Sequence, residues 1–296
     1  MTKAIPVAQE GLADGLDSCR VARMTTDLSP KVAIVTGSTQ GLGADIARGL
    51  AAQGACVVVL GRRASEADAV LASLANEGSD GLAIEADITD DAQIERAVQL
   101  TLERFGRIDI LVNNACIYVD RGLASSRDEW LQTLNVNLVS AALFAQQVAP
   151  HLPRGGVIVN IGSVGGKFGS AGRALYPASK AALLQLTRSL AATLAPQGVR
   201  VVTVSPAWTW GPAVEQMAGG SREMADGIGA HFHPLGRVGN GAEVAAAVAF
   251  VCSDAASWIT GCDIPVDGGY SMLGPDQGVS PRVWFERLAP APGGSS

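Results

Sequence analysis

A tyrosine and a lysine stand four positions apart in the segment ALYPASKAAL, residues 174–183. Side chains four residues apart share one face of a helix, so Tyr176 and Lys180 are expected to be neighbours. A free phenol has a pKa of about 10, and a nearby ammonium group lowers the pKa by stabilising the phenolate. The pair therefore predicts either a proton-transfer device or an ordinary contact between two surface side chains.

A second candidate site is the glycine-rich segment TGSTQGLG, residues 36–43, which follows an apolar run directly. Gly37, Gly41 and Gly43 would let the backbone turn tightly and approach a phosphate. The helix that follows would supply free N–H groups and positive potential at its N-terminus. The spacing is GxxxGxG rather than the more familiar GxGxxG. This segment predicts a nucleotide site, with structural glycines after a strand as the alternative.

Two arginines follow the second apolar run, in VVVLGRRAS. An acidic residue at this position would bind the ribose 2′-hydroxyl of NAD, whereas a basic residue suits the 2′-phosphate of NADP. Arg62 and Arg63 come before the first acid, Glu66, and a guanidinium fork matches phosphate well. The sequence therefore favours NADP(H), with NAD(H) possible. The alternative is that both arginines only add charge after a strand.

Short apolar runs alternate with helical patterns from Lys31 onward. The predicted strands are residues 31–36, 55–61, 81–87, 108–114, 156–163, 199–206 and 262–269. The predicted helices are residues 42–53, 64–76, 90–105, 126–149, 176–195 and 241–252, with an irregular stretch at 207–240. Strands that are apolar throughout have both faces covered, and the alternation indicates parallel βαβ units. The predicted fold class is α/β: a doubly wound, Rossmann-type parallel sheet of about seven strands, flanked by helices in a three-layer α/β/α arrangement. Ligands are then expected beyond the carboxyl ends of the strands.

We expect three regions along the chain. Residues 1–29 are predicted to be a disordered extension, because they lack sustained periodicity and the apolar core of a signal peptide. Residues 30–275 are predicted to be a single dinucleotide-binding catalytic domain, since no linker interrupts them. The tail, residues 276–296, contains Trp284, Phe285 and Leu288, and part of it is expected to pack at a subunit interface.

Composition excludes several classes of function. The net charge of −6 argues against general nucleic-acid binding, and no apolar run reaches the ~20 residues that cross a bilayer. Five scattered cysteines without a CxxC motif indicate reduced thiols and a cytoplasmic protein. His231 and His233 have no nearby cysteine partners, so no metal site is predicted.

Several motifs occur in a fixed order along residues 30–272. They are TGSTQGLG (36–43), AD (86–87), NNA (113–115), Asn137 in NVNL, Ser163 in IGSV, YPASK (176–180), SP (205–206) and DGG (267–269). On these motifs the sequence resembles the short-chain dehydrogenase/reductase family, of the compact type with a TGxxxGxG loop and a YxxxK pair. Chance could supply one such motif, but not all of them in this order.

The resemblance implies four catalytic residues. Ser163 would donate a hydrogen bond to the substrate oxygen, and Tyr176 would act as general acid and base. Lys180 would bind the nicotinamide ribose and lower the pKa of the tyrosine, and Asn137 would hold a water that links Lys180 to solvent. Contacts to the cofactor are expected from Gly37, Ser38, Thr39, Gln40, Gly41, Leu42, Gly43, Arg62, Arg63, Asp87, Ile88, Asn113, Ala115, Tyr176, Lys180, Pro206 and Thr209.

The chain departs from the family pattern beside the expected nicotinamide. Cys116 follows NNA where glycine is usual, and Ala207 follows Pro206 where glycine is usual. Gly211 replaces a threonine that would bond the carboxamide, and Thr209 is the expected substitute. Gln40, where NADP-dependent relatives often carry a basic residue, weakens the preference for NADP(H).

Residues 207–239 fall where the family has a mobile substrate loop. The side chains expected to wall an apolar pocket there, or alternatively to pack the loop onto the sheet, are Trp208, Trp210, Met217, Met224, His231 and Phe232. Lys167 or Arg173 would meet an anionic group on the substrate, unless both are simply solvated.

The leading hypothesis is an oxidoreductase that transfers a hydride between NADP(H) and a carbonyl compound or secondary alcohol. Alternatives are an NAD-dependent dehydrogenase of a cyclic diol, polyol or hydroxy acid, a non-catalytic nucleotide-binding scaffold, and an enzyme that dehydrates or epimerises a nucleotide sugar. The expected partners are a small-molecule substrate and further copies of the chain in a homotetramer or homodimer, with no nucleic acid and no membrane.

Overall fold

The structure is a computed structural model that describes residues 26–274 and 276–288. Most of the predicted N-terminal extension, residues 1–25, and residues 289–296 of the predicted tail lie outside the described residues. Leu28 is fully buried and its N–H donates to the carbonyl of Gln53 at 2.7 Å. The packed chain therefore includes the end of the predicted extension. The three-region division of the chain stays a prediction.

Seven strands form one parallel sheet, which confirms the predicted fold class. They are β1 (Val32–Thr36), β2 (Cys56–Gly61), β3 (Gly81–Glu85), β4 (Ile110–Asn113), β5 (Val157–Ile161), β6 (Arg200–Pro206) and β7 (Asp263–Val266). Their order is β3-β2-β1-β4-β5-β6-β7, and each neighbouring pair is parallel. The order reverses between β1 and β4, so a crevice is expected at the carboxyl ends of these two strands.

Helices cover both faces of the sheet. They are α1 (Gly41–Ala51), α2 (Asp68–Asn76), α3 (Asp91–Phe105), α4 (Arg127–Leu134), α5 (Ser140–Val148), α6 (Leu175–Leu194), α7 (Pro212–Met217), α8 (Arg222–Gly229), α9 (Gly241–Cys252) and α10 (Pro281–Leu288). The apolar cores on the two faces differ: α1, α2 and α9 contribute to one, and α3, α5 and α6 to the other. In β1, Val35 belongs to the first core and Ile34 to the second. Strand β1 is therefore apolar on both faces, as predicted.

Two predicted segments differ in detail. The long helix predicted at 126–149 is interrupted by a π-helical turn, Asn135–Val139, between α4 and α5. The stretch predicted to be irregular at 207–240 contains α7 and α8. Pro212 is tolerated at the first position of α7, and the Ser221 hydroxyl accepts a hydrogen bond from the N–H of Met224 to cap α8. Because these local signals lie between glycines, the sequence predicted an irregular segment here.

Close contact between α1 and α9 supports the glycine loop, because α1 begins at that loop. A Cβ atom at Gly49 would lie 2.7 Å from the Cβ of Ala245 on α9. Such an approach is shorter than methyl groups tolerate, so the two helices would have to separate. The glycine at this position therefore permits the observed spacing between α1 and α9.

We predict that Gly49→Ala lowers the free energy of unfolding by about 1–2 kcal/mol. The overpacking cost of about 1–3 kcal/mol exceeds the helix-propensity gain of up to about 1 kcal/mol. Urea denaturation measures the change. Gly227→Ala is the matched control, since Gly227 lies inside α8 and nothing stands within 4 Å of an added Cβ. The control should be neutral or stabilising; equal stability of both variants would contradict the packing argument.

Candidate active site

A cleft of about 1330 Å³ opens at the carboxyl ends of the strands. Gly37 and Arg62 line one part of the cleft, and Ser163, Tyr176 and Lys180 line another. The glycine loop and the tyrosine–lysine pair, which lie far apart in sequence, thus face one continuous space. The parallel sheet produces this arrangement because it brings the carboxyl ends of its strands to one edge.

The glycine loop turns closely around its own backbone. Gly37 has φ +62°, and a Cβ at Gly43 would lie 2.2 Å from the carbonyl oxygen of Gly37. The N-terminus of α1 has no side-chain cap at Gln40 and no acidic residue in its first turn. Its free N–H groups and positive potential suit an anion, so the loop fits the pyrophosphate of a dinucleotide.

Asn114 holds this loop, and the sequence analysis did not identify it. Its side-chain amide donates to the carbonyl oxygens of Thr36 at 2.9 Å and Gly37 at 3.1 Å. The Thr36 hydroxyl in turn accepts hydrogen bonds from the N–H groups of Asn114 and Ala115. The end of β1 and the segment after β4 are therefore fixed to one another. The signal for this role was the second asparagine of NNA.

Charged side chains gather at the ends of β2 and β3. Arg63 forms an ion pair with Glu66 at 2.5 Å, whereas Arg62 forms no ion pair among the described residues. The N–H and hydroxyl of Thr89 donate to Asp87 and, with the charge of Arg62, hold the pKa of that carboxyl below its usual value. Asp87 is thus ionised at neutral pH, and Arg62 is the free guanidinium at this end of the cleft.

Tyr176 and Lys180 lie on α6 and are both buried. The Lys180 ammonium stands 5.7 Å from the centre of the Tyr176 ring and donates to the carbonyl oxygen of Ile161 at 2.7 Å. Ser163 follows β5, and its Oγ accepts a hydrogen bond from the N–H of Gly165 at 3.0 Å. A Cβ at Gly165 would lie 3.3 Å from the Ser163 Oγ and 3.6 Å from the Tyr176 ring. The structure therefore brings these three predicted residues together around Gly165.

Asn137 lies in the π-helical turn and is buried. Its side-chain oxygen accepts from the N–H of Ile117 at 2.8 Å, and its amide donates to the carbonyl of Ile117 and to the Ser179 hydroxyl, both at 3.1 Å. Both amide N–H groups are thus used to join the segment after β4 to α6. A cavity of about 10 Å³ lies beside Asn137 and Lys180, near the minimum volume that a water molecule needs.

Most of the residues predicted to contact a cofactor line the cleft. They are Gly37, Thr39, Gln40, Gly41, Leu42, Gly43, Arg62, Arg63, Asp87, Ile88, Ala115, Tyr176, Lys180, Pro206 and Thr209. Ser38 and Asn113 do not line the cleft. The Ser38 hydroxyl is buried between the carbonyl of Val35 and the N–H of Leu60. The Asn113 amide donates to Ala141 and to the side chain of Asn160. These two side chains fasten the strand ends and do not face the cleft.

The residues predicted for the substrate loop divide into two groups. Trp208, Trp210 and Met217 line the cleft, whereas Met224, His231 and Phe232 do not. Phe232 instead packs against Trp208, with ring centres 5.1 Å apart. The apolar wall expected from this loop is therefore formed by its first half.

The sequence analysis did not identify three aromatic residues at the substrate end of the cleft. Tyr118 stacks on Tyr176 with ring centres 4.8 Å apart, and Phe168 lies 6.1 Å from Tyr270. All three line the cleft. Each lies in a connection that follows a strand, where periodicity gives no information about side-chain direction. Only their position after β4, β5 and β7 pointed to the ligand edge of the sheet.

Asp120 fixes the start of α6 and was also missed. Its carboxylate accepts hydrogen bonds from the N–H groups of Ala174 at 2.9 Å, Tyr176 at 3.0 Å and Gly122 at 3.0 Å. Burial raises the pKa of this carboxyl, but the N–H groups outweigh burial and lower it overall. Asp120 therefore acts as an N-terminal cap supplied from the connection after β4.

We predict that Asp120→Ala lowers both stability and turnover. Loss of the cap should lower the free energy of unfolding by about 1–2 kcal/mol. Displacement of Tyr176 should lower kcat by about tenfold, since catalysis depends on fixed geometry. Steady-state kinetics and urea denaturation measure the two effects.

Asp128→Ala is the matched control, because Asp128 is an exposed carboxylate in the first turn of α4. It should leave kcat unchanged and cost at most about 1 kcal/mol. The pH dependence gives a second check. Because the folded-state pKa of Asp120 is lowered, its contribution to stability is present at neutral pH and is lost as the pH falls below about 4. A stability difference between wild type and Asp120→Ala that persists in acid would contradict the capping role.

Membrane-spanning helices and metal-binding clusters are both absent from the described residues. Within residues 26–274 and 276–288, no helix has the length and apolar character to cross a membrane. In the same part of the chain, no group of three or more His, Cys, Asp or Glu side chains is arranged to hold a metal ion.

Known proteins resemble this chain in both sequence and fold. A family model described as enoyl-(acyl carrier protein) reductase matches residues 37–271. The 3-oxoacyl-[acyl-carrier-protein] reductase of Escherichia coli K12 is 38% identical over 246 residues, which cover 82% of this chain and 98% of the relative.

Solved structures agree with these matches. A 7α-hydroxysteroid dehydrogenase in complex with NADH and 7-oxo glycochenodeoxycholic acid superposes with a TM-score of 0.77 and 29% identity, covering 82% of this chain and 95% of the other. A blue fluorescent protein from a metagenomic library, in complex with NADPH, superposes with a TM-score of 0.75 and 34% identity, covering 83% and 99%.

Proposed function

Since the chain belongs to the short-chain dehydrogenase/reductase family, whose members are oxidoreductases acting on CH–OH groups, we propose that it transfers a hydride between NADP(H) and a carbonyl compound or secondary alcohol. Tyr176 is the proposed general acid and base. The observation that carries the proposal is the grouping of Ser163, Tyr176 and Lys180 in the same cleft as an uncapped glycine-loop helix.

The residues of the cleft fit a bound dinucleotide along its whole length. The N-terminus of α1 would hold the pyrophosphate, Asp87 and Arg62 would face the adenosine, and Lys180 would hold the nicotinamide ribose. When bound, the nicotinamide gives a hydride to a carbonyl or takes one from an alcohol. The protein then has to position the substrate oxygen and move one proton.

Ser163 and Tyr176 are suited to hold the substrate oxygen. Because the Ser163 Oγ already accepts from Gly165, its own O–H is available to donate to a carbonyl oxygen. The Tyr176 hydroxyl would give its proton to that oxygen during reduction and take it back during oxidation. Two donors aimed at one oxygen stabilise the negative charge that develops there.

Lys180 would connect the tyrosine to solvent. Within the described part of the chain, the Lys180 ammonium donates to one carbonyl, that of Ile161, which leaves two N–H groups for a ribose and a water. The small cavity beside Asn137 supports such a water. Since the Asn137 side chain is bonded to Ile117 and Ser179, we propose that it acts mainly by shaping the cavity.

We propose NADP(H) as the preferred cofactor because of Arg62. This side chain carries no ion pair among the described residues and lines the cleft beside Thr39 and Asp87. A 2′-phosphate would give it a charged partner. The alternative, an NAD-dependent dehydrogenase of a cyclic diol, polyol or hydroxy acid, is favoured by Asp87, a carboxylate that lines the same part of the cleft as Arg62.

We also propose that the chain assembles as a homotetramer or homodimer. The helix α10 packs little onto its own subunit, and Phe285 and Leu288 are 77% and 75% exposed. Apolar side chains of this kind are usually covered by another surface.

We predict that Tyr176→Phe lowers kcat/KM for ketone reduction by about 10²–10⁴-fold, because the proton donor is removed. Oxidation of NADPH and NADH would be measured against a panel of ketones. The affinity for NADPH, followed by fluorescence titration, should stay within about threefold of wild type, since the ring remains. Activity equal to wild type in Tyr176→Phe would refute the proposed mechanism.

We predict that Arg62→Ala raises KM for NADPH by about tenfold or more, since a charged hydrogen bond to phosphate is lost. KM for NADH should change by less than about twofold. Arg96→Ala on α3 is the matched control, because Arg96 is exposed and does not line the cleft. An equal change in KM for both cofactors would overturn the preference for NADP(H).

A further inference from the structure

The charges that line the cleft are unevenly distributed. Among its described lining residues, the carboxylates are Glu66 and Asp87, and both lie beside Arg62 and Arg63. Around Tyr176 the charged lining residues are Arg173 and Lys180, with no carboxylate. This excess of positive charge occurs in a chain whose net charge is −6. The substrate end of the cleft is therefore selectively positive.

Three nearby carboxylates have their oxygens bonded to other groups. Asp263 is paired with Lys167 at 2.5 Å, which also removes Lys167 as an anion-binding candidate. Asp120 is bonded to backbone N–H groups at the start of α6. Asp267 accepts from the N–H groups of Gly269 and Ser271 at 2.9 Å. Each acid thus has other partners, and none of the three lines the cleft.

Arg173 is held where it can meet a substrate. Its guanidinium carbon lies 5.1 Å from the centre of the Tyr176 ring, a cation–π contact. It forms no ion pair with any carboxylate in residues 26–274 and 276–288. A planar guanidinium with five donors and no charged partner is a suitable receptor for a carboxylate. The Arg173 side chain is exposed, and its contact with the Tyr176 ring places the guanidinium near the proposed general acid and base.

We propose that Arg173 binds a carboxylate of the substrate, which is therefore a keto acid or hydroxy acid. The inference rests on the proposed function, since it takes the Tyr176 hydroxyl as the point of reaction. The distance from the guanidinium carbon to the Tyr176 hydroxyl oxygen is at most the 5.1 Å to the ring centre plus the distance from ring centre to oxygen. One small substrate can therefore contact both groups.

Aromatic side chains in the cleft favour a ring over a polar chain in the substrate. Tyr118, Phe168, Trp210 and Tyr270 line the cleft, and Tyr118 stacks on Tyr176. Stacked and tilted aromatic faces bind flat or cyclic apolar bodies well. A single arginine matches one planar, singly charged carboxylate, whereas a phosphate group would be expected to recruit several cations. The substrate class is thus a cyclic ketone or alcohol that carries a carboxylate.

The test compares 4-oxocyclohexanecarboxylate with its methyl ester, which differs in charge but carries the same ring and ketone. The wild-type kcat/KM should favour the acid by about tenfold or more, as expected for a charged hydrogen bond. Arg173→Gln should lower kcat/KM for the acid at least about tenfold and for the ester less than about threefold. Arg173→Lys should recover part of the preference. Arg188→Gln, which removes an exposed charge from α6 outside the cleft, should keep the preference.

Binding provides a readout that does not depend on turnover. Calorimetry with cyclohexanecarboxylate and cyclohexanecarboxamide, on protein saturated with NADP⁺, should show tighter binding of the acid in the wild type and not in Arg173→Gln. Equal binding of both compounds in the wild type would overturn the proposal. So would equal losses of kcat/KM for acid and ester in Arg173→Gln, since Arg173 would then act on Tyr176 alone. Failure of every ketone to oxidise NADPH or NADH would instead refute the proposed function.

Discussion

The buried hydrogen bond from the Lys180 ammonium to the carbonyl of Ile161 joins the two elements on which the candidate chemistry depends. Ile161 ends β5, just before Ser163, and Lys180 lies one helical turn after Tyr176 on α6. One bond thus sets the distance between a strand end and a helix face. A buried ammonium is costly unless it is bonded, so this contact is strongly maintained. The positions of the serine and the tyrosine relative to each other follow from it.

The connection after β4 is a second organising element. It supplies Asn114 to the glycine loop, Ile117 to Asn137, and Asp120 to the start of α6. The connection therefore touches both the dinucleotide end and the substrate end of the cleft. A change in its conformation would reach both ends through hydrogen bonds. This explains why side chains of no obvious catalytic type occupy the segment.

Charge divides the cleft into two parts with different tasks. At one end, Arg62 stands with Asp87 and the uncapped N-terminus of α1, an environment suited to a phosphorylated adenosine. At the other end, Arg173 and Lys180 stand among aromatic rings without a lining carboxylate. The two proposals thus assign a different anion to each end of the cleft. The spacing between them is set by the width of the sheet from β2 to β5.

Local patterns in the sequence determined the strands, the helices and the motifs after β1, β5 and on α6, because apolar periodicity and glycine spacing report backbone geometry directly. The resemblance to a known family implied that Ser163, Tyr176 and Lys180 act in one site. The local patterns missed the π-helical turn at Asn137 and the helices α7 and α8, where tertiary contacts override weak local signals. Only the tertiary structure decided that Ser38 and Asn113 face inward. It also decided which side chains surround the start of α6, namely Tyr118, Asp120 and Arg173. Side-chain direction in a connection depends on distant partners: Asp120 meets Ala174, 54 positions further along the chain, through folding alone.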